Sequence, residues 1–170
     1  MEIKKSELSL KGFSILNSSF SSTEEKNNVN FEDYKIEIDF RVSGKSKYET
    51  FENLMMLNIN SMENPLDGYS FSIVALGKFK IDDIDSHPQE KVNNLVFRSS
   101  VPMMIANLRA YLFSLTSYGK FGIYSLPSID VMDLLTKHSQ ALERKNENKL
   151  EPASLKSLNS NNQVTENKLL

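Results

Sequence analysis

Cysteine and tryptophan are absent from this chain, histidine occurs twice, and glycine only six times. Without thiols there can be no disulfide framework, no thiolate zinc site and no cysteine nucleophile. His87 stands beside Pro88 and His138 on a predicted helix. A histidine triad or a metal centre would have to be assembled across the fold, and neither is expected. So few glycines leave no phosphate-cradling loop of either Gly-rich type. The sequence therefore argues against an enzyme, and no cofactor or metal is expected. A continuous apolar run of about 18 residues, the length a membrane helix needs, is also missing. Lys4 and Lys5 near the N-terminus are followed by no apolar stretch of the kind that drives secretion. A cytoplasmic protein is expected, with no membrane insertion. The formal charge of −2 offers no cationic surplus to neutralise phosphates, so nucleic acid is not an expected partner.

What is there suits one globular domain of about 140 residues with a polar tail. The composition is 39% hydrophobic and 25% charged over 170 residues. Four stretches alternate with period two. In the clearest, Tyr34, Ile36, Ile38, Phe40 and Val42 share one face while Lys35, Glu37, Asp39 and Arg41 share the other. That is an antiparallel strand with one wet face. A turn at Ser43–Ser46 leads to a strand over 48–59, and Asn64–Gly68 connects it to a third over 69–81. An N-terminal strand over 3–15 has Leu8 and Leu10 out of phase with Phe13 and Ile15, which a bulge at Gly12 would reconcile. The polar segment from Asn17 to Asp33 reads as a long crossover loop.

The second half is helical. A long helix is expected from Pro88 toward Tyr118, with a break at Pro102. Met104, Leu108, Tyr111, Leu112 and Leu115 form its main apolar stripe, and Ile105, Ala106, Phe113 and Thr116 a weaker second one. The first suits the sheet and the second a partner subunit. Gly119 closes the helix, and Gly122 and Pro127 keep Phe121, Ile123, Tyr124 and Leu126 from being helical. Large apolar side chains along a loop need a cover, which a bound ligand can supply. Ser128 is placed to cap a short second helix, and from about Glu143 the chain loses periodicity and becomes a polar tail without expected structure. The domain thus spans 1–142 and the tail 143–170. Strands followed by helices make an α+β fold, a four-stranded antiparallel sheet with both helices on one face.

In this order of elements, and in the run Arg109, Ser114, Ser117, Gly119-Lys120-Phe121, Leu126-Pro127 and Ile129-Asp130, the chain resembles the SecB-type protein-export chaperones and their solitary relatives. Phe71-Ser72-Ile73 after Gly68 matches the family's last strand. Departures are Val101 and Ala106 in place of helix prolines, and Gly122 where a proline commonly stands. The resemblance implies an ATP-independent holdase that binds unfolded polypeptides and assembles as a dimer of dimers. Export chaperones dock on a translocation motor through an acidic strand surface, for which no counterpart can be placed from sequence; some relatives instead protect the antitoxin of a toxin–antitoxin pair. The client groove is then expected from Phe13, Ile15, Leu16 and Phe20 at the crossover and Phe121, Ile123, Tyr124 and Leu126 in the helix-connecting loop, with Ile105, Arg109 and Phe113 at the oligomer interface. A client-specific chaperone and an interaction module without holdase activity are the competing readings.

Overall fold

The computed structural model describes residues 3, 5–23, 29–44 and 49–154, with side chains described as far as Arg144. The chain divides after Val131 into two units, one holding the sheet and the long helix, the other the second helix. Strands β1 (Leu8–Ser22), β2 (Ile36–Gly44), β3 (Thr50–Ile59) and β4 (Tyr69–Ile81) form one antiparallel sheet in the order β1-β4-β3-β2. The α+β architecture expected from sequence is the one observed. Alternation sets its two faces: Phe51, Met55, Leu57 and Ile59 of β3 lie opposite Phe79, Ala75, Ile73 and Phe71 of β4, and all are buried.

β1 departs from expectation in length. It runs to Ser22 instead of ending near Ile15, so Asn17–Ser22 belongs to the sheet and only the remainder of the segment crosses over. Two register shifts, between Leu10 and Gly12 and between Ile15 and Asn17, explain the phase problem in the sequence. The first keeps Leu8, Leu10, Phe13 and Ile15 opposite Ile81, Phe79, Gly77 and Ala75; the second returns Ser18 and Phe20 to the same face, opposite Ile73 and Phe71. An edge strand tolerates such polar residues because only part of its inner face is covered. Part of the expected turn at Ser43–Ser46, and residues 24–28 of the crossover, lie outside the described residues.

The long helix, α1, comprises Gln89–Asn93, a π-helical turn Asn94–Ser99 and Ser100–Thr116. The irregular turn precedes Pro102, as expected where a proline ring crowds the carbonyl one turn back and cannot supply a hydrogen bond. Ser100 Oγ donates to the carbonyl of Val96, and buried Asn53 Nδ2 donates to Ser100 Oγ over 3.0 Å, which fastens this turn to β3. Val101, Met104, Ile105, Leu108, Leu112 and Thr116 are all buried. Ile105 lies four residues from Val101 and seven from Leu112, so it belongs with the core face, while Ala106 and Phe113 point outward. Helix and sheet meet closely at Gly77, where a β-carbon would stand 2.3 Å from Met104 Sδ. The second helix, α2 (Val131–Ser154), has 24 residues and is not short. Its later residues lack an apolar period yet have strong intrinsic helix propensity, as in Ala141, Leu142, Glu143 and Arg144, and an Asp133–Lys137 pair at 2.7 Å supports its first turns. It begins three residues after Ser128, which leaves Asp130 immediately before it. The rest of the polar segment, 155–170, lies outside the described residues. No described helix is long and apolar enough to cross a membrane.

Candidate functional site: an aromatic cluster at one end of the sheet

Residues far apart in sequence meet at the Tyr69 end of β4. Phe20 of β1 lies 5.4 Å from Tyr69 and stacks on Phe71 at 5.3 Å. Phe121, from the loop after α1, meets the Tyr69 ring edge-on at 5.3 Å. Phe31, in a single 3-10 turn (Phe31–Asp33), stacks on Tyr69 at 5.7 Å and makes edge contacts with Tyr34 and Tyr124. Tyr124 in turn contacts Tyr34 and Phe71. Seven rings therefore form one continuous cluster drawn from four segments. Offset and edge-to-face pairs of this kind contribute roughly 0.5–1.5 kcal/mol each beyond their area burial.

Hydrogen bonds fix the loop that supplies Phe121 and Tyr124. Tyr69 Oη donates to the carbonyl of Gly122 and accepts from the amide of Phe121, at 2.9 and 3.0 Å. Gly119 permits this approach, since a β-carbon there would stand 2.1 Å from the same hydroxyl. Thr116 Oγ1 donates to the Leu112 carbonyl and accepts from the amide of Tyr124 at 2.9 Å. Arg109 spans to the far end, its Nε donating to the Leu126 carbonyl at 2.9 Å and its Nη2 to that of Pro127 at 3.0 Å. Tyr34 Oη repeats the pattern across the sheet, donating to the Asp67 carbonyl and accepting from the Tyr69 amide, both at 2.8 Å. The loop is therefore a fixed platform.

Burial divides the expected groove residues into two kinds. Tyr124 is 0% exposed and Leu126 2%, so within one chain both are core. Ile123, Leu16 and Phe20 are exposed at 47%, 56% and 41%, and Phe13, Ile15 and Phe121 are half-buried. The cluster thus has a buried floor of Tyr69, Phe71 and Tyr124 and an accessible rim of Phe20, Phe31 and Phe121. Phe31 and Tyr34 were not singled out for this place by sequence. Tyr34 read as a strand residue and Phe31 as an isolated aromatic in a polar loop, where periodicity carries no signal. At the expected interface, Ile105 is buried at 4% exposure and Arg109 binds its own chain's loop, while Phe113 is half exposed.

The Tyr124 hydroxyl is buried without a hydrogen-bond partner among the described residues, and burial, helped by the nearby Tyr34, pushes its pKa up to about 12. Tyr34 is also raised, chiefly by burial. Neither is prepared to give up a proton near neutral pH. The cluster offers apolar contact surface and backbone rigidity, with no acid, base or nucleophile among its rings.

The fold of this chain is that of the SecB-like chaperones. A solved structure with this fold is the Mycobacterium tuberculosis Rv1957 SecB-like chaperone in complex with a ChAD peptide from the Rv1956 HigA1 antitoxin, at a TM-score of 0.53 and 11% identity over 72% of this chain and 88% of that one. A protein of unknown function from Streptococcus agalactiae aligns at a TM-score of 0.40 and 12% identity, over 71% of this chain and 97% of that one. No protein-family model and no curated protein matches the sequence.

Proposed function

We propose that this protein is an ATP-independent holdase that binds unfolded or partly folded polypeptides at the aromatic cluster and prevents their aggregation. The observation that carries the reading is that Phe20 and Phe121, from segments about a hundred residues apart in sequence, pack against the same Tyr69 ring and remain accessible at the rim. Apolar aromatics held on a fixed floor suit extended apolar segments of varied sequence, because ring contacts are tolerant of the side chain they meet. The client surface is then Phe20, Phe31, Phe121 and Ile123 with Leu16, Phe13 and Ile15 beside them along β1, while Tyr124 and Leu126 support it from below. The protein works in the cytoplasm as an oligomer, with Phe113 and Ala106 on the outward face of α1 meeting a second copy.

A client-specific version, guarding an antitoxin or a similar single partner, is favoured over export by the charge on the sheet's outer face. There Glu37, Asp39 and Glu52 are offset by Arg41, Lys78 and Lys80, so the described residues of this face carry no acidic surplus of the kind a translocation motor would dock on. The solved neighbour's antitoxin peptide supports the same choice. An aggregation assay with several unrelated unfolded proteins tests the proposal. Broad suppression supports a general holdase, and suppression for a single partner supports the specific one. Absence of both, with clients of either kind, would leave an interaction module without chaperone activity.

A further inference from the structure

A sheet covered by a helix on one side should turn polar side chains outward on the other. The two edge strands here obey: the outer positions of β1 carry Ser14, Asn17, Ser19 and Ser21, and those of β2 carry Glu37, Asp39, Arg41 and Ser43. The two central strands do not. Leu54 pairs with Leu76 and Met56 with Val74 in adjacent rows, which puts four apolar side chains together in the middle of the outer face. Met56 is 43% exposed and the other three are partly exposed. Single apolar residues on a surface need no explanation, whereas a contiguous group ringed by polar ones marks a contact.

The charges beside this patch have an order of their own. Arg41 lies next to Leu54 and Asp39 next to Met56, in the same two rows. We propose that the outer face of the sheet is a self-complementary docking surface for a second copy of this chain. A two-fold axis in the plane between two such sheets, perpendicular to the strands and passing between the two rows, sets β2 over its counterpart in the opposite direction. Asp39 then faces the partner copy's arginine, and Arg41 the partner copy's aspartate, so each interface gains two opposite-charge pairs. The apolar rows meet each other at the same time, Met56 and Val74 over the leucine row. In the outer rows Glu52 and Lys78, which pair with each other at 3.7 Å, come to lie over Asn58 and Ser72, and no like charges are opposed among the described residues. The other in-plane axis, parallel to the strands, would set Asp39 and Arg41 over the neutral Asn17 and Ser14 of β1. The charge pattern thus selects one of the two arrangements. Sheets stacked about 10 Å apart and crossed by about 30° leave the long Arg41 side chain able to reach its mate near the edge. Interfaces of this isologous kind are the commonest route to closed dimers. This contact lies on the opposite side of the sheet from α1.

Charge exchange tests the arrangement. R41D would place two aspartates opposite each other at both pairs, and D39R two arginines, so each variant alone should associate through this face at least about tenfold more weakly than the wild type. An equimolar mixture of the two restores every opposite-charge pair between unlike copies and should recover the association. Because the chain has no cysteine, M56C carries a unique thiol, and cross-linking it with a short bismaleimide reports this contact separately from any made by α1. The prediction is strong cross-linking in M56C, loss in M56C/R41D and in M56C/D39R, and return in their mixture. Circular dichroism confirms folding of each. No cross-linking of M56C at tens of micromolar, or cross-linking indifferent to the charge exchange, would overturn the proposal. So would failure of the mixture to recover what both single variants lost.

Discussion

The Tyr124 ring packs against Phe31, Tyr34 and Phe71, and its buried hydroxyl has no hydrogen-bond partner among the described residues. A buried, unsatisfied hydroxyl costs roughly 1–3 kcal/mol, so Tyr124→Phe should leave stability unchanged or raise it by up to about 1 kcal/mol, read by denaturant unfolding. A clear loss would mean that the hydroxyl has a partner after all. The same group fixes an alkaline limit. In the unfolded chain it ionises near 10, in the folded one only near 12, so the folded state holds its proton longer. Stability is then full below about pH 10 and falls as pH rises from there toward 12, by on the order of 2–3 kcal/mol in all. Tyr124→Phe should flatten that decline. Ile123, next in sequence, should behave in the opposite manner. Being half exposed, Ile123→Ser should cost under about 0.5 kcal/mol of stability while weakening client binding, whereas Tyr124→Ser should lose about 3–5 kcal/mol. Intact binding by Ile123→Ser would place the client surface elsewhere. Sequence could not separate these neighbours, since a non-helical loop has no period to tell an inward side chain from an outward one. What assigns them is Thr116 Oγ1 holding the Tyr124 amide, a contact eight residues back along the chain.

At the scale of elements, β4 was legible to the residue and β2 and β3 to within two residues at their ends, because strict alternation and one wet face leave a single register. β1 was harder for a physical reason: its two bulges break the period, and its last six residues are four serines, Asn17 and Phe20, which read as loop. Helix α1 was legible in its extent, but its second apolar stripe was not. Ile105 shares the core face with Leu112, and Phe113 does not. A charge at each should therefore have different effects. Ile105→Asp buries an unpaired carboxylate and should unfold the domain, at a cost of several kcal/mol, about 3–5. Phe113→Asp should leave the melting temperature within a few degrees and shift sedimentation toward a smaller species. If both variants unfold alike, Phe113 is part of the core. The loop after α1 is held by Arg109 and Tyr69, two long reaches that no local pattern announces. Arg109→Ala should raise amide exchange across 121–127 while leaving β3 and β4 protected, because the lost hydrogen bonds lie at the loop and not in the sheet.

For the whole molecule, the proposed function divides the work among three separate surfaces: the aromatic rim at the Tyr69 end, the outward face of α1, and the far side of the sheet. A holdase gains from such separation, because a client held at the rim need not compete with the contacts that assemble the protein. Separation has a measurable consequence. Changes at the rim should lower client binding without changing oligomer mass, and Phe113→Asp should change mass first. Replacing Phe20 and Phe121 together by serine removes two of the three accessible rings while keeping the Tyr69, Phe71 and Tyr124 floor. Each truncated ring forfeits about 1–1.5 kcal/mol of aromatic contact with a bound segment, so the pair should weaken client affinity by about 30-fold to 150-fold. Sedimentation of the double variant should match the wild type. Binding measured by fluorescence anisotropy of a labelled unfolded peptide, in parallel with that mass, decides the matter. Wild-type affinity in the double variant would remove the aromatic cluster from client binding, and a fall in affinity that follows only from a changed mass would assign the clients to a surface created by assembly.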